Sequence, residues 1–490
     1  MMGDQDTTSA IGIADLPLDV LRQIFAFFEP SYGNKNGKID FHALKSFFGS
    51  DEYRTIKNAR LTCWALNVAA TPLLFPILHI SLEQESLERA KSLCSNPLIY
   101  SGIRGVQICL TYRPGETANS LQRYKECRLR ELQSIYDTHG QSAEEAYDSR
   151  WPYGDQGESD ALHFSTLRRA WNAMSNTKHI LSDEEKLYQN LLTESYETYK
   201  RQHEAQARLV SEKVFVSTIS SLLAGLDHPL SLNIVSYPPR VSRSHFMASQ
   251  MPLASRSNFL QFMNAPHDWD IIAKLTGGPN GFNLSKLLVD LPIACHEAGT
   301  TPQHLYIDCF PLSGHSIGNG QGGGMDWERL SAASRSIKTF HFGSVISPRK
   351  NTSTRRFWPT LDQGFVDKFL GSIVSSPSLD DCSLNLDFFG LRCGGWTKHG
   401  VMTFDYNIDA AISRICSHKL NILRLAYVSV EEKNLEWLCE NLAEEPEALE
   451  LRNVHFTKGS NWITILDQLS VRLASVISEE KCRVTFSHLS

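Results

Sequence analysis

The eleven cysteines contain no Cys-x-x-Cys pair and are odd in number, which excludes the usual zinc modules and a complete disulfide framework. Long apolar runs are also missing. The most apolar stretch, from Ala65 to Leu82, is interrupted by Asn67, Pro72, Pro76 and His79 and falls short of the roughly 18 clean residues that a membrane span requires. Positive charge is not in excess, because 48 Lys plus Arg stand against 54 Asp plus Glu, so no global basic field is present to hold nucleic acid. Residues 1–9 carry Asp4 and Asp6 in place of a basic start followed by an apolar core, unlike a secretory signal. These absences predict a protein of a reducing intracellular compartment, cytoplasmic or nuclear, with neither nucleic acid nor membrane as a partner.

What is present is ordinary globular material: 490 residues, 42% of them hydrophobic and 21% charged, enough for two to four folding units. Leu16-Pro17-Leu18-Asp19 has the form of a helix start, with proline where a missing N–H costs nothing and Asp19 near the positive end of the helix dipole. Val20, Leu21, Ile24, Phe25 and Phe28 then recur at helical spacing, and Glu29-Pro30 closes the segment. A second helical segment is expected over Ile56, Ala59, Leu61, Cys63, Trp64, Leu66 and Val68, closed by Thr71-Pro72. Two or three short helices cannot bury this much apolar surface among themselves, so part of it should meet a partner or the following domain.

The stretches "LPLDVLRQIFAFF" and "IKNARLTCWALNVAATPLLFPILHISL" resemble the F-box motif, in particular the filamentous-fungal form that ends in Ala-Thr-Pro-Leu-Leu-Phe and runs into a strand. The resemblance covers residues 13–82, with an insertion at about 30–54. It implies a domain that docks on the Skp adaptor of a cullin-RING (SCF-type) ubiquitin ligase through Leu16, Pro17, Val20, Leu21, Ile24, Phe28, Leu61, Cys63 and Leu66. It implies further that residues 83–490 bind a protein substrate, and that the chain is a non-catalytic receptor needing no cofactor and no metal. Two positions depart from the family pattern: Thr62 replaces the usual valine, and Trp64 stands where a basic residue is common.

Beyond Gly102 short strands alternate with amphipathic helices. Val106-x-Ile108-x-Leu110, Leu230-x-Leu232-x-Ile234, Leu305-x-Ile307, Phe340-x-Phe342, Leu384-x-Leu386, Leu423-x-Leu425, Leu449-x-Leu451 and Val484-x-Phe486 read as strands. Helices are expected over 116–147, 162–174 and 183–226, the last with Leu187, Leu191, Leu192 and Tyr196 on its apolar side. Ser429-Val430-Glu431-Glu432 has the form of a capping box. The expected fold class is α/β, a short helical F-box followed by an irregular leucine-rich-repeat-like solenoid. Its repeats are degenerate in spacing and lack the asparagine that follows a regular Leu-x-Leu strand. An ordinary doubly wound sheet predicts much the same local pattern.

Enzymatic signals are sparse. Gly314-His315-Ser316-Ile317-Gly318 matches a nucleophile elbow, and Asp387 or Asp405 with His418 or His455 could complete a serine hydrolase triad in chain order. The glycines from Gly318 to Gly324 are poor material for the helix that should follow Ser316, and a surface loop explains them better. Residues 34–40 imitate the centre of an EF-hand loop, but its end positions fall on Tyr32 and Ala43, so the required carboxylates are absent. Cys482 lies among mixed charges that give its thiol no activation. No dense arginine cluster stands out for a phosphorylated partner; Arg349, Lys350, Arg355 and Arg356 are the best candidate.

Overall fold

The computed structural model describes residues 12–13, 16–28, 41, 47–146, 154–174, 180–226, 229–235, 256–266, 284–309, 326–343, 363–386, 392–397, 400–416, 420–457, 462–478 and 483–487. Three short helices come first: α1 (Leu18–Ala26), α2 (Asp51–Ala59) and α3 (Trp64–Ala70). Pro17 occupies the position before the first helical residue, and Asp19 lies in the first turn. The single second helix expected here is in fact two. Arg60 to Thr62 turn after α2, with the Thr62 hydroxyl donating to the Ala59 carbonyl, and Cys63 is extended at φ −155° and ψ 169°. Leu21, Phe25, Phe47, Ile56, Leu66, Ala69, Ala70, Leu74 and Ile77 form a small core of their own.

Ile77–Ser81 is already the first strand of the sheet, so the sheet begins inside the 13–82 segment. The strands are β1 (Ile77–Ser81), β2 (Gly105–Cys109), β3 (Leu230–Val235), β4 (Pro302–Asp308), β5 (Thr339–Phe342), β6 (Asp381–Asn385), β7 (Arg392–Thr397), β8 (Gly400–Asn407), β9 (Ile422–Val430), β10 (Ala448–Phe456) and β11 (Arg483–Ser487). They lie in the order β1-β2-β3-β4-β5-β6-β9-β10-β11, every adjacent pair parallel, and the sheet is open. The first half of β9 pairs with β6 and its second half with β8, which forms an antiparallel hairpin with β7. That hairpin has no counterpart in the sequence reading. A doubly wound sheet reverses its order at a switch point; this order never reverses.

Parallel neighbours require a crossover, and helices supply it. They are α4 (Gln84–Cys94), α5 (Pro97–Tyr100), α6 (Gly115–Ala118), α7 (Leu121–Ala146), α8 (Gly154–Ala173), α9 (Asp183–Ser211), α10 (Val214–Leu223), α11 (Arg256–Asn264), α12 (Leu284–Glu297), α13 (Trp327–Ser334), α14 (Gln363–Val374), α15 (Asp409–Ile412), α16 (Glu432–Glu440) and α17 (Trp462–Ser478). Strand register aligns Val106, Leu232, Leu305, Phe340, Cys382, Leu423 and Leu449 in one row, and Ile108, Ile234, Ile307, Phe342, Leu384, Leu425 and Leu451 in the next. Both rows share a continuous core with Phe215 and Leu288 and with Leu330, Phe369, Leu435 and Leu469 from the helices. The helices that share this core therefore lie against one face of the sheet.

Two helix boundaries correct the sequence reading. The stretch 183–226 is broken at Lys213, whose left-handed backbone (φ 57°) ends one helix and turns the chain into the next. Ser429 is the last residue but one of β9, and Glu431 takes the position before α16 with no side-chain cap of its own; the Glu431 N–H donates to Asp409 Oδ1 at 2.8 Å, which ties α15 to the start of α16. The side chain of Asn434 donates to the same oxygen at 2.7 Å.

The chain between β2 and β3 builds a separate helical core from Tyr124, Leu167, Trp171, Tyr188, Leu191, Leu192 and Tyr199, joined by Phe259 and Met263 of α11. Three donors close the C-terminal end of α11. Tyr124 Oη donates to the Met263 carbonyl at 2.8 Å, Arg113 Nε to the Asn264 carbonyl at 3.0 Å, and Arg128 Nη2 to the Ala265 carbonyl. A helix leaves these last carbonyls without intrahelical partners, and cations suit its negative end. Arg128 is fully buried, ion-paired to Glu131 at 2.6 Å, and its guanidinium lies over the rings of Tyr124, Tyr199 and Phe262.

Candidate functional site

Two surfaces stand out, one on the N-terminal helices and one on the sheet face away from the helices. On α1 the interior stripe is Leu21 and Phe25, with Leu18 and Phe28 half-buried beside it. Phe28 packs on Phe25 with ring centroids 5.9 Å apart. Pro17, Val20, Ile24 and Phe27 follow at steps of 3, 4 and 3 residues and therefore share the adjacent side of the helix. Pro17 is exposed, Val20 is 39% exposed, Ile24 is half-buried and Phe27 is 89% exposed. At the turn before α3, Leu61 and Trp64 are 75% and 74% exposed.

The residues expected to hold an adaptor thus fall into three groups. Leu21 and Leu66 lie in the small core and hold the helices together. Leu16, Ile24, Phe28 and Cys63 are half-buried; Pro17, Val20 and Leu61 are exposed. Phe27 was missed because a helical wheel drawn on apolar residues cannot tell the inner edge of a broad stripe from its outer edge. Trp64 was read as a departure from the pattern, yet it is among the most exposed large apolar side chains described. Ile13, Val20, Phe27, Leu61 and Trp64 make up half of those side chains, the rest being Met174, Ile180, Ile463, Val471 and Phe486. All five fall within the first 64 residues.

The second surface follows from alternation along the strands. Residues between the apolar rows point away from the helices, and across β3 to β6 they form a grid: Ser231, His304, Thr339 and Asp381; then Asn233, Tyr306, His341 and Ser383. Beyond them lie Val235, Asp308 and Asn385 at the strand ends. Charged groups interlock toward the C-terminal side. His341 Nε2 lies 3.1 Å from Asp381 Oδ2, and Arg424 bridges Asp381 Oδ1 at 3.4 Å and Glu450 Oε1 at 3.3 Å. Arg452 reaches Glu450 Oε2 at 3.1 Å. Burial pushes the Asp308 carboxyl up to about 6, and no described residue hydrogen-bonds to it.

This polar face is partly covered. Ser231, Asn233, His304 and Ser383 are all buried, and the ring of Phe41, within the insertion at 30–54, lies edge-on to Tyr306 with centroids 5.3 Å apart. Tyr306 in turn meets the His341 ring at 5.0 Å. Phe41 also packs against the small N-terminal core, so one residue joins that core to the polar face.

The enzymatic alternative gains nothing from this arrangement. Ser316, Asp387 and His418 lie outside the described residues, as do Cys482, the basic cluster Arg349, Lys350, Arg355 and Arg356, and the EF-hand-like residues 34–40. Asp405 is described only as backbone in β8, and His455 is half-buried on β10. Among the described residues no group of acids, histidines and cysteines could hold a metal, and no helix is long and apolar enough to cross a membrane. No family model, no curated protein and no solved structure matches the chain.

Proposed function

We propose that the chain is the substrate-recognition subunit of an SCF-type ubiquitin ligase, docking on a Skp adaptor through its N-terminal helices and holding a protein substrate on the repeat-like domain. The observation that carries this reading is the partly exposed apolar stripe Pro17, Val20, Ile24 and Phe27, together with the exposed Leu61 and Trp64. Covering one such large side chain contributes roughly 1.5–3 kcal/mol, so a partner that buries several supplies ample affinity. The sequential parallel sheet with its helical crossovers supports the solenoid half of the reading, since consecutive strands of the main path lie side by side in chain order. A receptor of this kind makes and breaks no bond. It raises the effective concentration of a substrate lysine near a ubiquitin-charged enzyme.

The test is calorimetric titration of the purified full chain with a fungal Skp adaptor. Wild type should bind more tightly than about 1 μM. Val20→Asp and Phe27→Asp should each weaken binding by at least about tenfold, and Phe27→Asp should leave melting unchanged because that side chain already faces water. Absence of binding by well-folded wild type overturns the proposal.

A further inference from the structure

The polar grid on β3 to β6 contains three buried groups that end without a hydrogen bond: Ser231 Oγ, Asn233 Oδ1 and Ser383 Oγ. A buried polar atom left unpaired costs about 1–3 kcal/mol, and folded chains tolerate few of them. Here they flank one spot. Asn233 and Ser383 sit in the same cross-strand row with Tyr306 and His341 between them, and Phe41 lies on Tyr306. An aromatic ring can exclude water from that row, but it supplies neither a donor for Asn233 nor a partner for Ser383. Phe41 meets the row at Tyr306, near its middle, and its ring offers no hydrogen-bonding group there.

A better match can be specified. Asn233 Oδ1 and the Asp308 carboxylate both accept, and either hydroxyl can accept as well. Three strand spacings separate Asn233 from Ser383, about 14 Å, the reach of about four extended residues. We propose that this row binds an extended peptide segment rich in hydrogen-bond donors, with a lysine or arginine toward Asp308, and that Phe41 occupies the centre of the site until such a segment displaces it. The inference does not depend on adaptor binding, which is read separately.

The test uses the full chain and two fluorescent twelve-residue peptides, alternating Gly-Lys and alternating Gly-Glu, followed by anisotropy at pH 7.5 in physiological salt. Phe41→Ala should bind the lysine peptide at least about tenfold more tightly than wild type, since the plug no longer competes. Asn233→Ala/Ser383→Ala or Asp308→Asn in the Phe41→Ala background should remove that gain, and the glutamate peptide should bind none of them. Hydrogen exchange over residues 51–59 checks that the N-terminal helices remain folded. Tyr306→Ala, which removes the ring that Phe41 rests on, provides a second route to release. Equal binding by wild type and both release variants overturns the plug, and a gain that survives the Asn233/Ser383 and Asp308 substitutions overturns the site.

Discussion

Replacing Arg128 with methionine should open the helical region around α11 without unfolding the sheet. The guanidinium is 1% exposed and its partner Glu131 11% exposed, so the substitution takes from a nearly buried carboxylate the guanidinium it pairs with at 2.6 Å. Breaking such a pair from one side costs about 3–5 kcal/mol, and the Ala265 carbonyl loses a donor in the same step. The two losses overlap, and we expect about 4 kcal/mol at α11. At about 1.4 kcal/mol per factor of ten, that raises the opening constant of this region nearly a thousandfold. Hydrogen exchange by mass spectrometry reads it directly: amides of residues 259–264 should exchange far faster, while those of β9 and β10 stay protected. Arg128→Met/Glu131→Leu strands no charge and should recover at least half of the lost protection. An exchange rate within about tenfold of wild type refutes the argument, as does a double variant no better than the single one.

Other outcomes follow from features already described. A Cβ on Gly102 would run into the Pro72 carbonyl, and Gly343 combines φ +84° with close approach to the Asn385 carbonyl; alanine at either position should lower the thermal midpoint by several degrees, where an exposed Gly→Ala control does not. Asp308 has its carboxyl raised by burial to about 6 against an ordinary value of 3.8, so the folded state holds a proton that the unfolded state has released between those pH values. Stability should therefore fall as pH rises from 4 to 6, and Asp308→Asn, measured by urea melts across that range, should flatten that part of the decline. Among the nine cysteines described, Cys416 alone is exposed, whereas burial pushes the thiols of Cys109 up to about 11 and Cys295 to about 12. Mapping of a maleimide pulse should find Cys416 modified well before Cys109, Cys295, Cys309 and Cys382.

The sheet was legible because its signal is local: alternation of the Leu-x-Leu kind needs only one strand, and every such pair from Val106-x-Ile108 to Val484-x-Phe486 falls on or overlaps a strand. Strand order was not legible, since parallel neighbours are far apart in sequence and both candidate architectures share the same local pattern. The break at Lys213 escaped notice because its left-handed backbone carries no glycine or asparagine to announce it. The tie from Asp409 to the start of α16 was equally invisible, the donor and acceptor being 22 residues apart. At the N-terminus the apolar spacing identified α1, but not which residues of its stripe turn inward. Phe27 and Phe28 differ by one position, yet the first is 89% exposed and the second half-buried against Phe25.

The unreversed order of the sheet also bears on how the chain comes to be made. Each strand from β2 to β6 pairs with the strand synthesised before it, so a chain leaving the ribosome N-terminus first always finds its template already in place. Delay should concentrate where that template has to wait, and the longest wait lies between β2 and β3, while Leu110 to Pro229 emerge and assemble their own helical core. The edge of β2 stands bare in that interval. A chaperone, or an unwanted second chain, would find its best opportunity there.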